Sequence, residues 1–281
     1  MIKKIEKSII NKEFENLCED LVIQAKMFSF LSPDNCEEWS GMLIDSSIDS
    51  GDLKTEYDRS NIHRLLRDKE YAQSQFYQSY INYFILRLTS VLELYLKDSI
   101  KQYMKLNTDL FVKGLKINRS IEDKDKFISG KKLKVFLLEY NKEVYVDILN
   151  QIARQYSKGN LWISKFKHYT NFLEVEITSE MNGYCKVLDL LFKMRNDITH
   201  LNRHLDEKAK PVLKIKDGFV FDRETKLNES SYRKVLEYLI EVTNSSQKML
   251  RESHSQVYTK WSMNPLKITE VYKEVVDKYR E

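Results

Sequence analysis

Chain-breaking residues are scarce in this sequence. Over 281 residues there are 7 glycines and 3 prolines. A β sandwich or barrel needs a turn roughly every 8–12 residues, which so few breakers do not supply. Long helices joined by few loops are expected, and hence an all-α helical bundle. Hydrophobic residues make up 42% and charged residues 31%, the composition of a folded chain that buries a core. The length allows one large domain or two small ones.

Hydrophobic spacing places the helices. Ile5, Ile9, Phe14, Leu17, Leu21 and Ala25 recur at helical intervals, predicting a helix over 3–31 that stops at Ser32-Pro33-Asp34-Asn35. Residues 32–54 read as a long connection, and a second helical stretch starts near Thr55 and takes in His63, Leu65 and Leu66. The longest candidate spans 70–106. Its face of Phe76, Tyr80, Phe84, Leu88, Val91, Leu92, Tyr95, Leu96 and Ile100 is broad enough for a central helix or one shared with a second copy.

Residues 113–134 carry eight Lys or Arg against three Asp or Glu and few apolar side chains, so they read as a basic loop. A helix is expected again over 131–157. Over 160–178 the pattern is ambiguous, since Leu173, Val175 and Ile177 alternate with Glu174 and Glu176 as in a short strand. Thr178 or Ser179 can cap a helix running over 180–205. Leu213 to Phe221 alternates on both sides of Asp217-Gly218, the signature of a small β-hairpin near 212–222. A last amphipathic helix is expected over 229–252, followed by a helical tail after Pro265.

Several function classes receive no support. Cys18, Cys36 and Cys185 are odd in number and form no CxxC, which argues against a disulfide framework and a zinc-thiolate site and for a reducing compartment. The N-terminus lacks an apolar h-region, and no apolar run approaches the roughly 20 residues that span a bilayer. A cytoplasmic protein is the expectation. There is no GxGxxG, Walker A or GxSxG sequence, so neither nucleotide hydrolysis nor a serine elbow is indicated. Net charge is +4, which permits an acidic partner such as RNA without demanding one. His63 and His254 stand alone and read as surface or capping residues. Trp39, Trp162 and Trp261 read as local packing in loops or at helix ends.

Chemistry concentrates in Arg195-Asn196-Asp197-Ile198-Thr199-His200. A guanidinium that never deprotonates lies five residues before an imidazole that titrates near neutral pH. On a helix the two would sit about 140° apart around the axis, so a swung Arg side chain or a second copy of the helix would have to complete the site. An apolar stripe of Val187, Leu191, Met194, Ile198 and Leu201 would anchor this helix and leave the polar set on a flank. Asp197, His200 and His204 share one helical face and form a competing metal trio. Lys131, Lys132 and Lys134 are candidate contacts to an RNA backbone.

Arg195 to His200 resembles the R-N-x-x-x-H form of the Arg-x4-6-His signature of the HEPN superfamily (higher eukaryote and prokaryote nucleotide-binding domains). Leu188 to Met194 is similar to the helix leading into that motif, and Leu86 to Lys97 to the first core helix of such domains. Thr199 stands where many members have Ala and Leu201 where they have Gly. Leu201 and Asn202 occupy the place of the Tyr modified in some HEPN toxins.

The resemblance implies an extension over 1–68, a helical core over 69–255 and a tail over 256–281. It implies a homodimer joined through the motif helices and metal-independent endonucleolytic cleavage of RNA such as tRNA or mRNA. Arg195, His200 and Asn196 would be catalytic, with Asp197, Thr199 and His204 supporting and no cofactor. A toxin or antiphage effector is the expected setting, with an antitoxin or sensor subunit as a further partner. The alternative is a catalytically silent module of the same type that binds or regulates a partner.

Overall fold

The computed structural model describes residues 9–29, 69–117, 142–199, 211–222 and 224–261. Among them are seven helices and one two-stranded sheet: α1 (Ile9–Ser29), α2 (Lys69–Leu106), α3 (Thr108–Ile117), α4 (Lys142–Tyr156), α5 (Trp162–Leu173), α6 (Ser179–Thr199), β1 (Leu213–Lys214), β2 (Val220–Phe221) and α7 (Glu229–Lys260). The architecture is the expected all-α bundle with a small hairpin. The tract after Thr55, the rest of the basic segment from 118 on, and the tail after Pro265 lie outside the described residues.

Side chains set several of these ends. Asn107 begins α3 by accepting from the Leu110 N–H at 2.8 Å. Thr178 caps α6, its hydroxyl accepting from the Met181 N–H at 3.2 Å. Asn228 and Ser231 cap α7 reciprocally: the Ser231 N–H donates to Asn228 Oδ1 and the Asn228 N–H to Ser231 Oγ, both at 2.9 Å.

Packing divides the described residues into two units. One comprises 9–17, 90–117, 142–192 and 245–261, the other 18–29, 69–89, 193–199, 211–222 and 224–244. The first unit has an aromatic core. Trp162, Phe166, Tyr169 and Phe172 of α5 are buried with Tyr95 and Tyr103 of α2 and with Cys185, Leu188 and Phe192 of α6. Gly114 lets α3 approach α4, since a Cβ there would stand 3.0 Å from Ile152 Cγ2. In the second unit Tyr77 of α2 stacks on Tyr232 of α7 at 4.1 Å between ring centroids. The Leu227 N–H donates to Ser74 Oγ at 3.1 Å. The hairpin pairs Leu213 with Phe221 and Lys214 with Val220, antiparallel. Asp217 and Gly218 take φ of 63° and 72° at its turn, the left-handed region that this dipeptide enters readily.

Two readings of the sequence, of Lys113 and Lys116 and of the end of the final helix, are corrected, and two that it left open are decided. Lys113 and Lys116 lie on α3, not in a loop, because Leu110, Phe111, Val112 and Leu115 bury one side of that segment. Residues 173–177 form no strand. Leu173 ends α5, Glu174 turns the chain with φ 57° and ψ 40°, and the Val175 N–H returns to the Thr170 carbonyl at 2.9 Å. The final helix runs on to Lys260 rather than stopping at 252. The broad face of α2 serves the chain itself, since Phe84, Leu88 and Leu92 are fully buried and Tyr95 is 3% exposed. It is no free surface for a second copy.

Candidate functional site

Helix α6 delivers the Arg195 segment. Its buried side is Met181, Cys185, Leu188, Leu191, Phe192 and Met194. Val187 and Ile198, expected in the anchoring stripe, are only half-buried, so the buried face is turned toward Cys185 and Phe192. Two contacts hold α6 upstream of the motif. Asp189 Oδ1 accepts from the Ile163 N–H at 2.7 Å, and Phe192 packs on Trp162 with ring centroids 5.6 Å apart.

Arg195, Asn196 and Asp197 occupy the last turn of α6 and are half-buried, whereas Thr199 is exposed. The Thr199 hydroxyl lies 2.9 Å from the Arg195 carbonyl oxygen and 3.2 Å from that of Asn196. It thus donates to carbonyls that a helix end leaves short of partners. The structure brings Arg195, Asn196, Asp197 and Thr199 together on this one turn. His200 and His204, and the candidate backbone contacts Lys131, Lys132 and Lys134, lie outside the described residues. Among the described residues no three His, Cys, Asp or Glu side chains come together as a group that could hold a metal ion. Nor is any helix long and apolar enough to cross a membrane.

A second polar constellation was not anticipated. His254, read from the sequence as a surface or capping residue, is 8% exposed and its Nδ1 is hydrogen-bonded to the Tyr103 hydroxyl. Its ring lies 4.5 Å from that of Tyr258. Tyr95, Ser99 and Tyr103 recur every four residues on α2, and Tyr169 of α5 and Ser253 of α7 join them. Burial pushes the Tyr95 and Tyr103 phenols well above their ordinary range. The signal was present in the sequence: His254 falls between Leu250 and Val257 on the apolar stripe of α7, beyond the point where that stripe was expected to end.

The thiol of Cys185 is also buried. Desolvation raises it to about 12, which leaves no reactive thiolate near neutral pH. Comparison of the chain with family models, curated proteins and solved structures finds no match.

Proposed function

We propose that the chain is a metal-independent endoribonuclease of HEPN type, acting as a toxin or antiphage effector. The observation that carries this reading is the last turn of α6. There Arg195 and Asn196 are held half-buried on a helix anchored by Asp189 and Phe192, and the sequence continues directly into His200.

The chemistry asked of these residues is within their means. His200 takes a proton from a ribose 2′-OH or gives one to the leaving 5′-oxygen. The 2′-oxygen attacks the adjacent phosphorus, the P–O5′ bond breaks, and a 2′,3′-cyclic phosphate and a 5′-OH result. Arg195 offsets the negative charge of the pentavalent transition state through charge-assisted hydrogen bonds. Asn196 orients the imidazole or a phosphate oxygen. One motif supplies one imidazole, whereas the reaction calls for an acid and a base. A homodimer with two motifs facing one cleft would provide both.

Purified wild type, Arg195→Ala and His200→Ala proteins, incubated with total RNA, test the reading. Loss of a general acid–base lowers the rate about 10²–10⁴-fold, so both variants should be nearly inactive. Equal cleavage by all three would assign the activity to a contaminant, and a wild type that cuts no RNA and arrests no growth would leave a silent partner-binding module as the better reading.

A further inference from the structure

The outer face of α2 in the second unit is built unlike the rest of the surface. The chain is 31% charged, yet residues 71–92 carry a single charge, Arg87. Gln75, Ser79, Tyr83 and Arg87 follow one another at four-residue spacing and are all exposed, with Asn82 half-buried beside them. The outer face of α7 in the same unit is the ordinary solvated kind: Arg233, Lys234, Glu237 and Glu241 are exposed there. On α2 no carboxylate stands within four residues of Arg87 to pair with it along the helix. Tyr83 is 47% exposed and carries the only exposed aromatic ring among the described residues. That ring is braced from within the unit. Its centroid lies 6.2 Å from that of Tyr80, which meets Tyr232 edge-on at 6.3 Å.

We propose that this face binds single-stranded RNA, with Tyr83 stacking on a base and Arg87 holding a neighbouring phosphate. The inference rests on the ribonuclease reading for its choice of polymer, and it names an unpaired strand as the substrate. Every base has a face on which an aromatic ring can stack, whatever the sequence. A duplex keeps those faces covered by its own stacking, whereas an unpaired strand offers them. Tyr83 and Arg87 stand one helical turn apart, about 5–6 Å between Cβ atoms, close enough for both to serve one nucleotide. The amides of Gln75 and Asn82 each present donors and an acceptor, which suit base edges. The missing carboxylates complete the fit, because acids such as Glu237 and Glu241 would repel a phosphate backbone. The second unit also contains the Arg195 turn.

Binding of the full chain to a labelled, 2′-O-methylated single strand about 12 nucleotides long tests this, since 2′-OH attack cannot cut such a strand. Wild type should prefer it to the same sequence as a duplex. Tyr83→Ala should bind about 5–150-fold more weakly, and Tyr83→Phe, which keeps the ring, should bind as wild type does. Arg87→Ala should lower the slope of log affinity against log salt by about 0.7, the share of one phosphate contact on a single strand. Wild-type affinity in Tyr83→Ala, equal affinity for the duplex, or a wild type that binds neither strand would overturn the proposal. So would a Tyr83→Ala protein whose RNA binding is intact while light scattering shows a dimer lost, which would make the face a contact between copies. Cleavage of unmodified RNA is scored separately. A chain that cuts RNA regardless of Tyr83 keeps the ribonuclease reading and loses this one. A chain that binds through Tyr83 and cuts nothing does the reverse.

Discussion

Asp189 of α6 accepts a hydrogen bond from the backbone N–H of Ile163, at 2.7 Å, in the first turn of α5. The residue before α5, Leu161, has no side chain able to cap it, so a neighbouring helix supplies what the local sequence lacks. The helix that carries Arg195 and the start of α5 are thereby fixed to each other. Asp189→Ala should cost about 1 kcal/mol, the usual effect of losing an N-terminal cap, and Asp189→Asn, which keeps an oxygen acceptor, should recover most of it. Urea midpoints measure both, and an alanine variant as stable as wild type would show the bond to be idle.

Phe192, three residues before Arg195, is fully buried against Trp162. Phe192→Ala should lower stability by about 3–5 kcal/mol. Its neighbour Lys193 is exposed, and Lys193→Ala should change stability by no more than about 0.5 kcal/mol. Thermal or denaturant unfolding of the pair would expose an error in the facing of α6, because a helix rotated by one residue would reverse the two results.

Glu174 holds a left-handed backbone conformation while bonding two lysines, Lys113 at 2.6 Å and Lys260 at 3.0 Å. Lys113 also donates to the Phe172 carbonyl at 2.8 Å and lies 5.3 Å from the Trp261 ring centre. The hydrogen bond from Lys113, then that from Lys260, holds the Glu174 carboxyl below its usual range. A depressed carboxylate contributes stability above the unfolded glutamate's value of about 4.3, lost as pH falls through the lower folded value. The group is substantially exposed, so the effect is small. Glu174→Gln should be slightly less stable than wild type at neutral pH, with the gap closing in acid; a gap that persists unchanged in acid would mean the lysines contribute nothing through charge.

Much of this architecture is legible in the sequence, and its failures have physical causes. The scarcity of Gly and Pro predicts helices, and Asp217-Gly218 predicts a hairpin whose two central residues need positive φ. The α3 error arose because lysines dominate the count after Lys113, although Phe111, Val112 and Leu115 still form a buried face. The alternation at 173–177, ambiguous in the sequence, belongs to a short connector with Leu173 and Val175 buried, a pattern that periodicity alone does not separate from a strand. Asp189 capping α5 was not foreseeable, since it joins residues 26 apart. For the candidate site, helix α6, its N-cap and the burial of Leu191 and Met194 were legible; the rest of its buried side was not, because apolar residues stand all round the helix, Val187 and Cys185 being about 160° apart about its axis.

If the chain cuts RNA by 2′-OH attack, cleavage should persist in EDTA and leave 2′,3′-cyclic phosphate ends. A single 2′-deoxy substitution at the cut site should stop it. A strict dependence on a divalent cation would shift weight to the trio of Asp197, His200 and His204.

A composite site across two copies predicts complementation. Arg195→Ala and His200→Ala proteins, each inactive alone, should regain a fraction of wild-type activity when mixed, provided one cleft draws Arg from one chain and His from the other. Full activity of a species that light scattering shows to be monomeric at micromolar concentration would remove the need for a second copy.

The phenols buried in the first unit have a consequence at the alkaline extreme. Burial raises Tyr95, Tyr103 and Tyr169, and lifts Tyr156 to about 12. Groups raised in this way contribute stability below the ordinary phenol value of about 10, lost as pH climbs beyond it. Solvent-exposed phenols release their protons first, and the buried ones follow only when the core admits hydroxide. The near-ultraviolet absorbance of tyrosinate should therefore rise in two stages, the second coinciding with loss of helical circular dichroism, so that the protein's own colour change records the opening of its interior.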